Sequence, residues 1–231
     1  MATRFYTAQS LTPDVSPAYD GGWDETASAL RRKLLISRPG LATSDNQDYL
    51  TVDANAYYLL YQFVSEPLDS ISATLPVSKA VFRCYESNAK CNGFLHLVFR
   101  KCDGDGSNPV TIASMTDDVE FDSGLTYSRF IGASDLANQA LSQGDRLVVE
   151  VGFYSSAGKD YPSDYGRIYV YNHTSLTGSI FCTDNSGSDL PENDTDTSWY
   201  NSWIETGDTF TVASGDPPAE VVKLGPMFAF A

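Results

Sequence analysis

The run Asp103-Gly104-Asp105-Gly106-Ser107-Asn108 alternates oxygen-bearing side chains with glycine turns, which is how a calcium loop begins. An EF-hand would close with a bidentate Glu near its twelfth position, but Ser114 stands there, so the run reads as a glycine-rich hairpin turn. A second acidic stretch holds the remaining weak calcium candidates, Asp184, Asp189, Glu192 and Asp194, whose spacing follows no metal-binding pattern. Paired carboxylates can also hydrolyse glycosidic bonds, yet nothing marks one pair among 30 acidic residues. The two imidazoles, His96 and His173, belong to no HExxH, and the chain has no GxSxG elbow, P-loop or dinucleotide loop. His96 falls on the Val98 and Arg100 face of a predicted strand and reads as a surface side chain. Cys84, Cys91, Cys102 and Cys182 form no CxxC pair, so zinc has no support, and Cys84 and Cys102 are placed to meet across a hairpin. The expectation is a protein that is not an enzyme, with no catalytic residue, metal or cofactor.

Aromatic residues offer a different chemistry, because a planar apolar ring matches the C–H face of a pyranose. Tyr161, Tyr165, Tyr169 and Tyr171, with Trp199, Tyr200 and Trp203, could form a sugar platform, and Tyr165, Trp199, Tyr200 and Trp203 are its core candidates. The competing reading is that Trp199, Tyr200 and Trp203 plug one end of the fold or a subunit contact.

The elements that must position these residues are strands. Leu147, Val149, Val151 and Phe153 alternate with Arg146, Val148, Glu150 and Gly152, the period-two pattern of a half-buried strand. Ala80, Phe82 and Cys84, followed by turn residues and then Leu95, Leu97 and Phe99, predict a hairpin. Weaker strands are predicted over 57–64, 70–75, 110–113, 167–171, 179–182, 209–213 and 220–224. Many short strands with almost no helical period predict an all-β fold, an antiparallel β-sandwich of jelly-roll-like form. Residues 1–50 form an N-terminal arm with one short helix, capped by Asp24 and facing inward through Ala27, Leu30 and Leu34. Residues 51–213 are the sandwich, and residues 214–231 a tail that completes an edge strand or docks on a neighbour.

The 231 residues carry 15 basic against 30 acidic side chains, a net charge of -15. That balance repels phosphate backbones and excludes nucleic acid as the expected partner. No apolar run reaches the roughly 20 residues of a membrane span, and Met1 to Ser10 has no signal-peptide core, so synthesis and folding are expected in a cytosol. Charge is segregated: Arg4, Arg31, Arg32, Lys33 and Arg38 lie in the arm, while 184–196 has no basic residue. Arm packed against acidic loop, between copies or neighbours, would set register and orientation.

Arg4-Phe5-Tyr6, Ser16-Pro17-Ala18-Tyr19-Asp20, Gly22-Trp23 and Ala29-Leu30-Arg31-Arg32-Lys33-Leu34 open a pattern continued by Gly144-Asp145-Arg146-Leu147-Val148-Val149-Glu150-Val151-Gly152 and by the stretch from Asp189 to Glu205. In order and spacing these blocks resemble a family of uncharacterised virion structural proteins of tailed bacteriophages. The four cysteines and the tail beyond Glu205 lie outside that pattern. The resemblance implies a non-enzymatic particle component located in the virion after synthesis in the host cytoplasm. On that reading the protein is a capsid decoration (cement) protein or a tail-associated protein, a homo-oligomer that docks on major capsid or tail proteins. Its docking residues would be Arg4, Phe5, Tyr6, Trp23, Leu30, Arg31, Arg32, Lys33 and Leu34. The alternative is a carbohydrate- or receptor-binding module of a tail fibre, with a host-surface glycan as partner.

Overall fold

In the computed structural model the alternating segment becomes β10 (Arg146–Ser155), with Leu147, Val149, Val151 and Phe153 in the core. The structure describes residues 3–8, 11–38, 46–48, 55–71, 77–86, 92–122, 127–134, 141–156, 178–181, 188–195, 200–207 and 210–212. β10 pairs antiparallel with β4 (Ala56–Ser65) on one side and β7 (Gly93–Cys102) on the other. Beyond β7 lies β8 (Val110–Glu120). Beyond β4 lies β2 (Leu30–Leu35), in parallel, then β1 (Thr3–Thr7), β12 (Trp203–Thr206) and β6 (Val77–Glu86), each antiparallel to the last. β6 also carries β9 (Tyr127–Ser134) and β11 (Gly178–Phe181), and β11 pairs with β3 (Asn46–Asp48). A separate ribbon joins β5 (Leu68–Ile71) to β13 (Phe210–Val212).

The result is an all-β fold with one curled mixed sheet, a half-barrel whose strands β8 and β9 approach each other. Phe5, Leu34, Tyr58, Phe63, Phe82, Phe99, Phe153 and Ile204 fill the concave side as one continuous core. Each such side chain contributes roughly 1.5–3 kcal/mol by leaving water.

Three sequence-based expectations are corrected. The described residues contain no helix, and the segment predicted as one runs through a turn, in which Ala29 N–H donates to Thr26 C=O, into strand β2. Leu30 and Leu34 are four apart, a spacing that shares one face in both a helix and a strand, and pairing with β4 decides between them. The predicted hairpin between 80–85 and 95–99 does not form, because β6 pairs with β9, β11 and β12, whereas β7 pairs with β10 and β8. Cys84 and Cys102 are accordingly separate, buried cysteines that are not joined to each other. The run from Asp103 to Asn108 is the turn between β7 and β8, as expected: Gly106 (φ 85°) and Asn108 (φ 50°) take left-handed conformations, and Asp103 accepts from Ser107 and Asn108 within the turn. Residues 167–171 and 214–231, with Cys91, Cys182 and His173, lie outside the described residues.

Candidate functional site

The convex face of β4, β10, β7 and β8 is where polar residues collect, and the chain covers most of it with its own segment 11–29. Val15 packs on Val64, Cys102 and Val148, and Trp23 with Tyr19 and Ala29 packs on Leu59 and Val98. Under this strap lies Glu150, fully buried. Its carboxylate accepts from Trp23 Nε1 (2.6 Å), Gln62 Nε2 (3.0 Å), Arg100 Nη1 (2.9 Å) and the Asp20 N–H (3.1 Å). The strap carbonyls are used as well: Pro17 C=O accepts from Gln62 and Arg31, and Ala18 C=O accepts from Arg100 at 2.5 Å. A buried ion pair is tolerable only when most of its remaining lone pairs and protons are satisfied; here backbone and side chains saturate the carboxylate, while Arg100 Nε makes no hydrogen bond and lies 3.6 Å from Asp20 Oδ2. At the strap's start, Arg146 binds Asp14 through two hydrogen bonds of 2.7 and 2.8 Å.

Gly152 explains how Trp23 reaches the sheet. A Cβ on residue 152 would stand 1.9 Å from the Tyr58 carbonyl oxygen and 2.7 Å from the indole. The bulge that shifts the β4–β10 register falls between Val151 and Gly152. The opposing residue on β7 is His96, which is buried rather than on the surface as its strand phase suggested, because Trp23 lies edge-on against it (5.0 Å between centroids) and Tyr57 covers it (4.5 Å). Burial pushes its pKa down to about 4, only partly offset by the charge of Asp20.

His96 Nε2 lies 3.2 Å from Ser114 Oγ, and Nδ1 lies 2.7 Å from Thr116 Oγ1. A serine beside an imidazole invites comparison with an activated nucleophile. The arrangement differs from a triad in two ways: a hydroxyl stands where a triad has its carboxylate, and burial makes the imidazole a weak base. The imidazole is a neutral hydrogen-bonding strut beneath β8.

One row further along, Tyr57 on β4, Tyr154 on β10 and Phe94 on β7 stand directly opposite one another in register. All three rings are half-buried. Centroids are 4.8 Å apart for Tyr57 and Tyr154 and 6.4 Å for Phe94 and Tyr154. Asn55 Oδ1 accepts the Tyr154 hydroxyl at 2.9 Å, Asp24 Oδ2 accepts the Tyr57 N–H at 2.8 Å, and the exposed Glu120 is the register partner of Phe94. The row is an aromatic ledge with an amide and two carboxylates on its rim, founded on the Trp23 and His96 layer.

Comparison with known proteins gives no match to any family model and none to any curated protein. Among solved structures, the chain is similar to an alpha-amino acid ester hydrolase labelled with selenomethionine, at 11% identity and a TM-score of 0.51. The match covers 90% of this chain and 36% of that one, so the chain spans just over a third of the hydrolase's length. At this identity the likeness is one of fold. It also corrects the functional expectation: the fold recurs within an enzyme, no phage family model matches, and the reading as a tailed-phage particle protein, tail-fibre module included, does not stand.

The residues singled out as a docking arm are integral to the chain's own sheet. Phe5 and Leu34 are core residues, Leu30 packs against that core, and Trp23 belongs to the strap. Arg31 donates to Gln62 and stacks over Tyr19 at 4.1 Å, Arg32 lies in β2, and Lys33 pairs with Glu66. The charge segregation seen in the sequence is used within one chain. Arg4 bridges Asp189 and Glu205, both at 2.8 Å, while its guanidinium lies 3.8 Å above the Trp203 ring. Arg38 and the Tyr6 hydroxyl also bind Asp189, and Lys79 joins Glu192 to Glu205. Burial alone would raise the Asp189 carboxyl, but the Arg38 and Arg4 guanidiniums hold it below the usual carboxylate range.

Asp189 and Glu192 are thus paired with cations, and among the described residues no group of three or more His, Cys, Asp and Glu is placed to hold a metal ion. Asp184, Tyr165 and Trp199 lie outside the described residues. Trp203 is buried, donating from Nε1 to Leu190 C=O at 2.7 Å, and half-buried Tyr200 packs in the same cluster. Sequence reasoning missed the ledge. Its signal was present, since Tyr57, Phe94 and Tyr154 are aromatics in the polar phase of their strands, but only cross-strand register puts them in one row.

Proposed function

We propose that this chain is a non-catalytic ligand-binding unit, jelly-roll-like in its curled β architecture, that binds through the convex face of β4, β10 and β7. The observation that carries the reading is the in-register row of Tyr57, Tyr154 and Phe94. The groups beside it that could do chemistry are engaged elsewhere: Glu150 is saturated by its donors, and His96 is kept neutral against hydroxyls. The row instead leaves three rings half-covered over a foundation that those polar groups hold rigid, and preorganisation lowers the cost of binding. The hydrolase likeness supports a unit of this fold serving within a larger protein, since the matched part is 36% of that chain. The hydrolase activity itself is not carried over.

The test is hydrolysis of p-nitrophenyl acetate and of an α-amino acid methyl ester by the purified chain, alongside labelling with a fluorophosphonate probe. Rates equal to those of the Ser114→Ala variant, with no label, are the expected outcome. Turnover or labelling that depends on Ser114 would overturn the non-catalytic reading.

A further inference from the structure

The ledge has a shape, a charge and a size, and together they define a class of ligand. Three aromatic side chains on adjacent strands make a continuous apolar strip, in contrast to the isolated exposed hydrophobics Ile36 and Val110. Asp24, Asn55 and Glu120 stand along the strip: Asn55 accepts the Tyr154 hydroxyl, Asp24 accepts the Tyr57 N–H, and Glu120 is the register partner of Phe94, so the rim is made of two carboxylates and an amide, all oxygen acceptors. The ligand must therefore present an apolar face and a hydroxyl-rich edge at once.

Charge narrows the class further. Asp24 and Glu120 stand on the rim, Asp118 is exposed on the neighbouring strand β8, and the chain's net charge is -15. Phosphorylated, sulfated or carboxylated ligands would be repelled at short range. Size argues against a protein partner. A stable interface needs about 800 Å² from each side, and three half-buried rings supply no more than a few hundred.

We infer that the Tyr57, Tyr154 and Phe94 ledge is a binding site for uncharged oligosaccharide, with sugar rings stacked on the aromatic row and their hydroxyls donating to Asn55, Asp24 and Glu120. This rests on the reading of the convex face as a binding surface and supplies its ligand class. The site differs from the sugar platform expected from the sequence: of those candidates, Trp203 is buried under Arg4 and Tyr200 packs in that same cluster.

The experiment is calorimetric titration of the whole chain with cellohexaose, xylohexaose, mannohexaose and chitohexaose. Oligogalacturonate serves as the anionic comparison and a proline-rich peptide as the non-sugar one. Binding of at least one neutral oligosaccharide is expected, weakened at least about tenfold in Tyr154→Ala and in Tyr57→Ala, and weakened less in Tyr154→Phe, which keeps the ring. Near-UV circular dichroism and melting of each variant establish that the fold is retained, and Phe94→Leu gives a second route should either alanine variant unfold. No binding by any of the sugars, binding unaffected by these substitutions, or preference for oligogalacturonate would each overturn the inference. Peptide binding that is lost in Tyr154→Ala, without sugar binding, would overturn the sugar class while leaving the binding surface intact. Ser114-dependent hydrolysis is the separate result that removes the surface reading itself.

Discussion

His96 should make the protein acid-sensitive in a way that can be calculated. Its folded pKa of about 4 lies below the ordinary 6.5, the cause being burial under Trp23 and Tyr57. Below pH 6.5 the unfolded chain takes up a proton that the folded chain refuses, so stability is lost as pH falls from about 6.5 to about 4. The difference is about 2.5 units at roughly 1.4 kcal/mol each, or about 3 kcal/mol in all. For a chain of this length that corresponds to a fall in Tm of roughly 6–12 °C. Asp117 acts in the opposite sense, since burial raises its pKa to about 6, and the clean comparison is made in an Asp117→Asn background. In that background, thermal melts between pH 4 and 8 should show the drop, and His96→Gln should flatten it even if its own Tm at pH 7 is lower. The imidazole can also be titrated directly by NMR, with the variant identifying which of the two histidine signals is His96. A His96 signal titrating near 6.5, or the same pH slope with and without the imidazole, would refute the reasoning.

Glu150→Ala strips the acceptor from Trp23, Gln62, Arg100 and the Asp20 amide, and should cost about 3–5 kcal/mol in urea unfolding followed by tryptophan fluorescence; a loss under about 1 kcal/mol would mean that the strap is not anchored there. Gly152→Ala places a methyl against the Tyr58 carbonyl and the Trp23 ring, and should destabilise by about 1–3 kcal/mol or more with a red shift of indole emission. Trp23→Ala should not rescue it, because the closer obstacle is backbone. Asp117→Asn removes a carboxylate whose Oδ2 is buried without a hydrogen-bond partner and whose ionisation Asp194 further opposes. The raised pKa means the native contribution is favourable below about 3.8 and lost as pH rises through about 6, so the variant should be more stable at pH 7.5, on the order of 1 kcal/mol after solvent screening, and the gain should vanish near pH 4. Arg4→Ala should change global stability by no more than about 1 kcal/mol while speeding hydrogen exchange or proteolysis over 188–194, since the pairs it loses are half-exposed; unchanged exchange there would show that the loop is held by other contacts.

Much of the sheet was legible because alternation is a local signal. Leu147 to Phe153 and Leu95 to Phe99 wrote their own faces, and both runs enter the core as their period requires. Pairing partners were not legible. Neither the parallel alliance of β2 with β4 nor the triple role of β6 leaves a mark in residue order, and a hairpin was read where distant strands intervene. His96 was misplaced for a related reason: strand phase assigns a side chain to a face and cannot tell that a segment some seventy positions earlier covers that face. The same blindness hid the ledge, whose rings come from three strands. What the sequence did carry, in Asp24, Trp23 and Gly152, is intelligible only once Trp23 and Gly152 are known to touch.

β1 lies between β12 and β2, with Thr3 opposite Thr206 and Thr7 opposite Leu34. β1 is therefore the seam joining the two wings of the sheet, and the edge it offers to β12 is paired by residues some two hundred positions away. Native pairing of this separation makes a slow search, and an unpaired edge bearing Phe5 and Tyr6 is a template for the wrong neighbour in the meantime. Arg4 sits on that strand, so the charge that later clamps the acidic loop also keeps the waiting edge from being wholly apolar. The seam ties the two wings, β2 through β8 and β12 through β3, into one sheet, because β2 and β12 meet only through β1.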